Sequence, residues 1–216
     1  MKILPSRVEL LSLLPSGSIG AELGVFDGLF SQTIWEQLQP QRLFLVDLWA
    51  NVTDMLRPDK NGNWVSNPIA GPNAWQLVRQ RFAAQIADGR VQLVCAEAIA
   101  WLESLPPACL DWAYLDDDHR YQHVAQELEA ASRCIRPGGA ILGHDYCEVL
   151  PGVIQAVDEF CQRRGWPIEA MTDEKPLPVY PRLPGMPSEC AYNSYLIRVS
   201  THSPTQTERN LKLSFG

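Results

Sequence analysis

"LDWAYLDDDHRYQHVAQELEAASRCIRPGGAILGHDY", residues 110–146, contains one complete structural cycle. Its apolar start, "LDWAYLD" (110–116), reads as a buried strand. Tyr121, Val124, Ala125, Leu128 and Ala131 then recur at helical spacing. "RPGG" (136–139) stops the helix and turns the chain. "AILGHDY" (140–146) begins a second apolar strand.

The same cycle repeats on both sides of this stretch. "SIGAELGV" (18–25) is a strand followed by a helix with Phe30, Ile34 and Leu38. "RLFLVDL" (42–48) and "RVQLVCA" (90–96) are further strands. The first leads eventually to a helix near 74–87, carrying Trp75, Val78, Phe82 and Ile86. The second leads to a short helix with Ile99, Trp101, Leu102 and Leu105. A helix from Gly152 to Arg164 and two last strands, "WPIEAMT" (166–172) and "NSYLIRV" (193–199), complete the series. Five βα units with near-continuous apolar strands predict a doubly wound, mostly parallel α/β sheet with helices on both faces. The expected organisation is a single domain over 1–200, opened by a helix at 5–14 with Val8, Leu11 and Leu14 on one side, and followed by a flexible tail at 201–216.

Composition narrows the partners. The 216 residues are 46% apolar and 20% charged, with a formal net charge of −7. Without a basic run, neither nucleic acid nor an anionic membrane is the expected partner, which points to a small molecule. The leucines near the N-terminus are interrupted by Arg7 and Glu9, so they do not form a signal segment, and no later stretch resembles a membrane span. The six cysteines are far apart and lack a C-x-x-C pair, as expected for reduced thiols in a cytoplasmic protein. The N-terminal helix offers a surface for a homodimer.

In doubly wound sheets, ligands bind beyond the carboxyl ends of the strands. Those ends here read Glu22–Gly24, Asp47, Ala96–Glu97, Asp116–His119 and His144–Asp145. Two long connections also leave that side, 49–73 and 173–191, and are read as substrate-pocket walls with Trp49, Trp64, Tyr180 and Arg182 as contacts. "AELGVFDG" (21–28) sets an acid, Gly24 and Gly28 at a strand-to-helix turn. Val25 and Phe26 separate it from the G-x-G-x-x-G dinucleotide fingerprint. Asp47, ending the next strand, suits a carboxylate that accepts ribose hydroxyls.

These residues resemble the class I S-adenosylmethionine-dependent methyltransferases, whose Rossmann-like sheet has seven strands, the last antiparallel. The resemblance implies S-adenosylmethionine as cofactor, with Glu22, Gly24 and Gly28 under its methionine half. It places Asp47 on the ribose, Ala96 and Glu97 of "CAEA" (95–98) at the adenine, and Asp116 beside the donor. Residues 110–146 are similar to the branch containing macrocin-type sugar O-methyltransferases and cephalosporin-hydroxylase-like relatives. That branch implies O-methylation of a small hydroxylated metabolite, with Asp116 and His119 catalytic and His119 the general base. It also implies that Asp116 and Asp145 hold Mg2+. His144 stands where its metal-binding members carry a second carboxylate, so another divalent cation held by Asp116, His144 and Asp145, or no metal, is equally open.

Among the other residues of the motif, Asp118 is expected to N-cap the helix and Asp117 to favour its dipole. His123, without a third ligand in the motif, reads as a packing or surface histidine. A nicotinamide-dependent oxidoreductase would need a richer glycine loop and a Tyr-x-x-x-Lys. An iron oxygenase would need H-x-D, whereas His144 and Asp145 are adjacent. A cofactor-binding protein without catalysis is the non-enzymatic alternative.

Overall fold

The computed structural model describes residues 1–49, 56–58, 64–66, 72–179 and 186–200. Tyr180, Arg182 and the tail at 201–216 lie outside the described residues. The chain runs β1 (Lys2–Leu4), α1 (Arg7–Leu11), β2 (Ile19–Leu23), α2 (Leu29–Leu38), β3 (Arg42–Asp47), β4 (Leu56–Pro58) and β5 (Trp64–Ser66). It continues through α3 (Pro72–Arg81), α4 (Ala83–Ala87), β6 (Val91–Cys95), α5 (Ala98–Ser104), β7 (Leu110–Leu115) and α6 (Tyr121–Cys134). The remaining elements are β8 (Ile135–Tyr146), α7 (Pro151–Arg164), β9 (Ile168–Thr172), β10 (Leu177–Pro178), β11 (Glu189–Cys190) and β12 (Asn193–Arg198).

Eight strands form one sheet in the order β1-β9-β12-β8-β7-β2-β3-β6. Strands β8, β7, β2, β3 and β6 are mutually parallel, while β12 runs antiparallel between β8 and β9. Strand order reverses between β2 and β7, which brings the ends of those strands together at Gly24 and Asp116. The eighth strand corrects the expected count of seven. β1 pairs in parallel with β9 along Lys2–Leu4, a tertiary contact that a short, partly charged segment does not announce.

Alternation along the strands fills a core on each face of the sheet. Ala21, Leu23, Ala113, Leu115 and Ile141 pack with α5, α6 and α7. Leu43, Leu45, Trp112, Tyr114 and Leu142 pack on the other face with α1, α2 and α3. The first helix is shorter than expected; Leu11 and Leu14 are buried as that reading required, with Leu10 beside them, while Val8 is 38% exposed. "RPGG" is not an isolated turn. It lies inside β8, where pairing to β7 skips from Leu110↔Ile135 to Trp112↔Ala140, a bulge.

The described parts of the two long connections each pair locally, β4 with β5 and β10 with β11. Val179 and Cys190 pack on Cys147, just beyond the end of β8. Among the described residues, no helix is long and apolar enough to cross a membrane.

Candidate active site

The first turn of the site is held by Asp47. Its Oδ2 accepts hydrogen bonds from the amides of Val25 (2.9 Å) and Phe26 (2.8 Å), and its Oδ1 accepts from Trp49 N (2.7 Å). These bonds fold residues 24–28 back over the end of β3, with Gly24, Phe26 and Gly28 all at positive φ (85°, 52° and 76°). A Cβ on Gly24 would lie 2.0 Å from the Asp116 carbonyl oxygen, so this glycine lets β2 and β7 meet at the reversal point. Trp49 is buried against Trp75 and donates its indole N–H to the Phe26 carbonyl (3.0 Å).

Glu22 is placed differently from the expected cofactor contact. It is 1% exposed and accepts a hydrogen bond from Ser31 at the start of α2. Burial pushes its carboxyl up to about 8, so it is largely protonated at neutral pH. Ala96 and Glu97 lie half-buried at the end of β6, and Glu97 Oε2 caps α5 by accepting from Ala100 N (2.7 Å).

The residues expected to do chemistry converge. His119 Nε2 lies 2.5 Å from Asp145 Oδ2, and His144 Nδ1 lies 3.1 Å from Asp145 Oδ1 and 3.7 Å from Asp116 Oδ1. Asp145 thus sits between two imidazoles, at the left-handed φ of 60°. Burial alone would raise its carboxyl, but the two imidazoles hold it well below the ordinary carboxylate range. Contact with Asp145 raises His119 despite partial burial. For His144, burial favours the neutral ring, yet Asp145 and Asp116 win and the imidazole is raised. Desolvation raises Asp116 against the pull of its cationic neighbours.

Sequence reasoning missed two supporting residues. Arg7 of α1 lies 3.5 Å from Asp116 Oδ2, with its guanidinium 4.1 Å from the Phe30 ring centre. Only the fold brings α1 there, so no local signal existed. Gly152 in the first turn of α7 leaves room for the backbone of His119 and Tyr121, whose nearest atoms would meet a Cβ at 3.1 and 2.8 Å. Asp118 is not the N-cap of α6, which is Arg120. Its Oδ1 accepts from Arg120 N (2.8 Å), forming an Asx turn that ends before the helix begins.

The donor sets answer two questions about bound groups. The strand-end turn fits S-adenosylmethionine, because among the described residues Asp47 Oδ1 accepts one backbone amide and keeps acceptor capacity for a hydroxyl. Asp116, His144 and Asp145 bring one ligand atom each within 4.8 Å. They do not fit a hard Mg2+, since His144 offers nitrogen and the carboxylates already face Arg7, His119 and His144.

Fold and strand order together define a doubly wound α/β domain with its polar groups gathered at the carboxyl ends of the strands. Residues 21–146 match the family described as a methyltransferase domain, and the chain belongs to that family. It is therefore a transferase, dependent on S-adenosylmethionine, and the nicotinamide alternative is set aside.

Solved structures with the same fold include a precorrin-6y C5,15-methyltransferase from Geobacter metallireducens. It is 16% identical, with 89% of this chain and 86% of that chain covered and a TM-score of 0.55. An S-adenosylmethionine-dependent O-methyltransferase from Thermotoga maritima is 11% identical, with coverage of 92% and 64% and a TM-score of 0.58. The N-methyltransferase NodS from Bradyrhizobium japonicum, solved with S-adenosyl-L-homocysteine, is 13% identical over 89% and 85%, with a TM-score of 0.55. No curated protein matches the sequence.

Proposed function

We propose that the protein methylates a hydroxyl group of a small hydroxylated metabolite, with His119 as general base. The observation that carries this reading is the seating of Asp145 between His119 and His144. Asp145 faces His119 Nε2, which favours the tautomer protonated there and leaves the lone pair on Nδ1. The His119 side chain is 38% exposed, enough for an acceptor hydroxyl to reach it. As Nδ1 takes the proton, the adjacent carboxylate stabilises the imidazolium that forms. Such a base contributes about 10²–10⁴-fold to the rate.

When bound, S-adenosylmethionine supplies a methyl group already activated on a sulfonium. The residues that would hold it are those of the Gly24–Gly28 turn, with Asp47, Ala96, Glu97 and Asp116. Glu22 supports the turn from beneath through Ser31. His144 and Arg7 keep Asp116 in place at the meeting point of β2 and β7. The acidic net charge, without a basic patch, favours a small-molecule acceptor over nucleic acid. The macrocin-type pattern of 110–146 favours oxygen as the atom methylated.

The test is methyl transfer from labelled S-adenosylmethionine across a panel of hydroxylated metabolites, repeated with His119→Ala. The variant should bind S-adenosylhomocysteine like the parent and lose about 10²–10⁴-fold in transfer. Unchanged transfer would remove His119 from the chemistry.

A further inference from the structure

Behind the catalytic residues lies a second group of potential ligands that the reading above does not use. Asp117, His123 and Glu127 each present one ligand atom, all within 4.8 Å of one another. His123 and Glu127 are one turn apart on α6 and share a face. Asp117 arrives from the loop between β7 and α6, with Oδ2 3.4 Å from His123 Nε2. The His123 side chain is 15% exposed and faces carboxylates on both ring nitrogens.

Two features separate this group from an ordinary acidic surface. Glu127 is 1% exposed, on the buried side of α6, and lines with Asp117 the floor of the same small pocket that Asp116, His119 and His144 line. Among the described residues, Glu127 Oε1 is buried without a hydrogen-bond partner. A buried carboxyl left in this way is unfavourable unless something satisfies it.

The surroundings supply negative charge and little to balance it. Glu97 Oε1 lies 4.0 Å from His123 Nε2, and Asp118 Oδ2 lies 3.9 Å from His123 Nδ1. Among the described residues, no Lys or Arg is ion-paired with Asp117, Glu97 or Glu127; Arg120 is engaged by Asp118. Burial, reinforced by Asp117 and Glu97, pushes the Glu127 carboxyl well above its ordinary value. The Asp116–His144–Asp145 group differs, because Arg7 and His119 already balance its charge.

We propose that Asp117, His123 and Glu127 bind a divalent transition-metal ion, of the Mn2+ or Zn2+ class. Two carboxylate oxygens and one imidazole nitrogen suit such ions better than Ca2+ or Mg2+, which prefer all-oxygen sites. The ion would tie the first turns of α6 to the loop that also carries Asp116 and His119, and would satisfy the unpartnered Glu127 oxygen.

Calorimetric titration of the EDTA-treated full chain with Mn2+ and separately with Zn2+ tests this, alongside thermal melts. One ion per chain should bind and raise the melting temperature. Glu127→Gln and His123→Asn should each weaken binding at least about tenfold, the loss expected when a ligand is removed. Asp145→Asn should bind as the parent does. Without metal, Glu127→Gln should melt no lower than the parent, since it removes a buried ionisable group. Should that variant unfold, His123→Asn alone decides. Binding of neither ion, or retention in His123→Asn with loss in Asp145→Asn, overturns the proposal.

Discussion

Replacing Asp145 by Asn isolates the charge at the centre of the site. Asn tolerates the left-handed backbone at φ 60° about as well as Asp, so the loop geometry should survive. What is lost is a buried carboxylate facing two imidazoles, at 2.5 Å from His119 and 3.1 Å from His144. Breaking a buried ion pair costs about 3–5 kcal/mol. The lower end applies here, because His119 is 38% exposed and solvent screens its share. For a domain of this size, about 3 kcal/mol corresponds to roughly 6–12 °C in melting temperature.

The pH dependence of that penalty is specific. Asp145 is depressed from its ordinary 3.8, so its contribution is present above 3.8 and is lost as acid takes the pH down through the folded-state value. His119 and His144 are raised from 6.5, so theirs is complete below 6.5 and is lost as pH climbs through the raised values. The network therefore stabilises most between 3.8 and 6.5. Thermal melts of parent and variant should differ most near about pH 5.5 and converge toward about pH 9. An equal difference at both pH values would refute the assignment of charge to this triad.

Two further substitutions probe the end of β2 and the turn that follows it. Glu22 has its carboxyl raised from 4.5 to about 8, so the parent should lose stability as pH rises between those values, while the unfolded chain ionises. Glu22→Gln should remove that slope, worth at most about 5 kcal/mol, in denaturant unfolding at the two ends of the range; identical slopes would contradict the burial argument. Gly24→Ala, with a Cβ 2.0 Å from the Asp116 carbonyl and φ at 85°, should cost about 2–5 kcal/mol in the same assay. A loss below about 1 kcal/mol would mean that β2 and β7 do not meet as closely as described.

The sequence made the central strands readable because each is a short apolar run ending in polar residues. Asp47, Asp116 and Asp145 stand at such ends, and the family resemblance of the surrounding residues gives them their expected roles. Two things were not readable. β1 exists only because β9 offers an open edge, and Lys2–Leu4 carries no strand signal alone. Arg7 reaches Asp116 across the fold.

Glu127, by contrast, carried a signal that went unused. It stands three residues after Val124 and next to Leu128, within the apolar stripe of α6. An acid in such a stripe is unfavourable unless something satisfies it, and His123 and Asp117 are the polar groups beside it. The Asx turn at Asp118 shows the converse case, where local rules expected a cap and the chain needed one more turn before the helix.

On the reading proposed above, the face formed by Gly24–Gly28 and Asp47 binds S-adenosylmethionine. Isothermal calorimetry with S-adenosylhomocysteine, in EDTA, tests it most directly on the parent and on Asp47→Ala. Asp47 organises three backbone amides. Losing hydrogen bonds to a charged group, at about 1.5–3 kcal/mol, should weaken binding roughly 10–100-fold. One molecule bound per parent chain, and markedly weaker binding to the variant, is the predicted result. No binding to the parent, or equal binding to both, would contradict it.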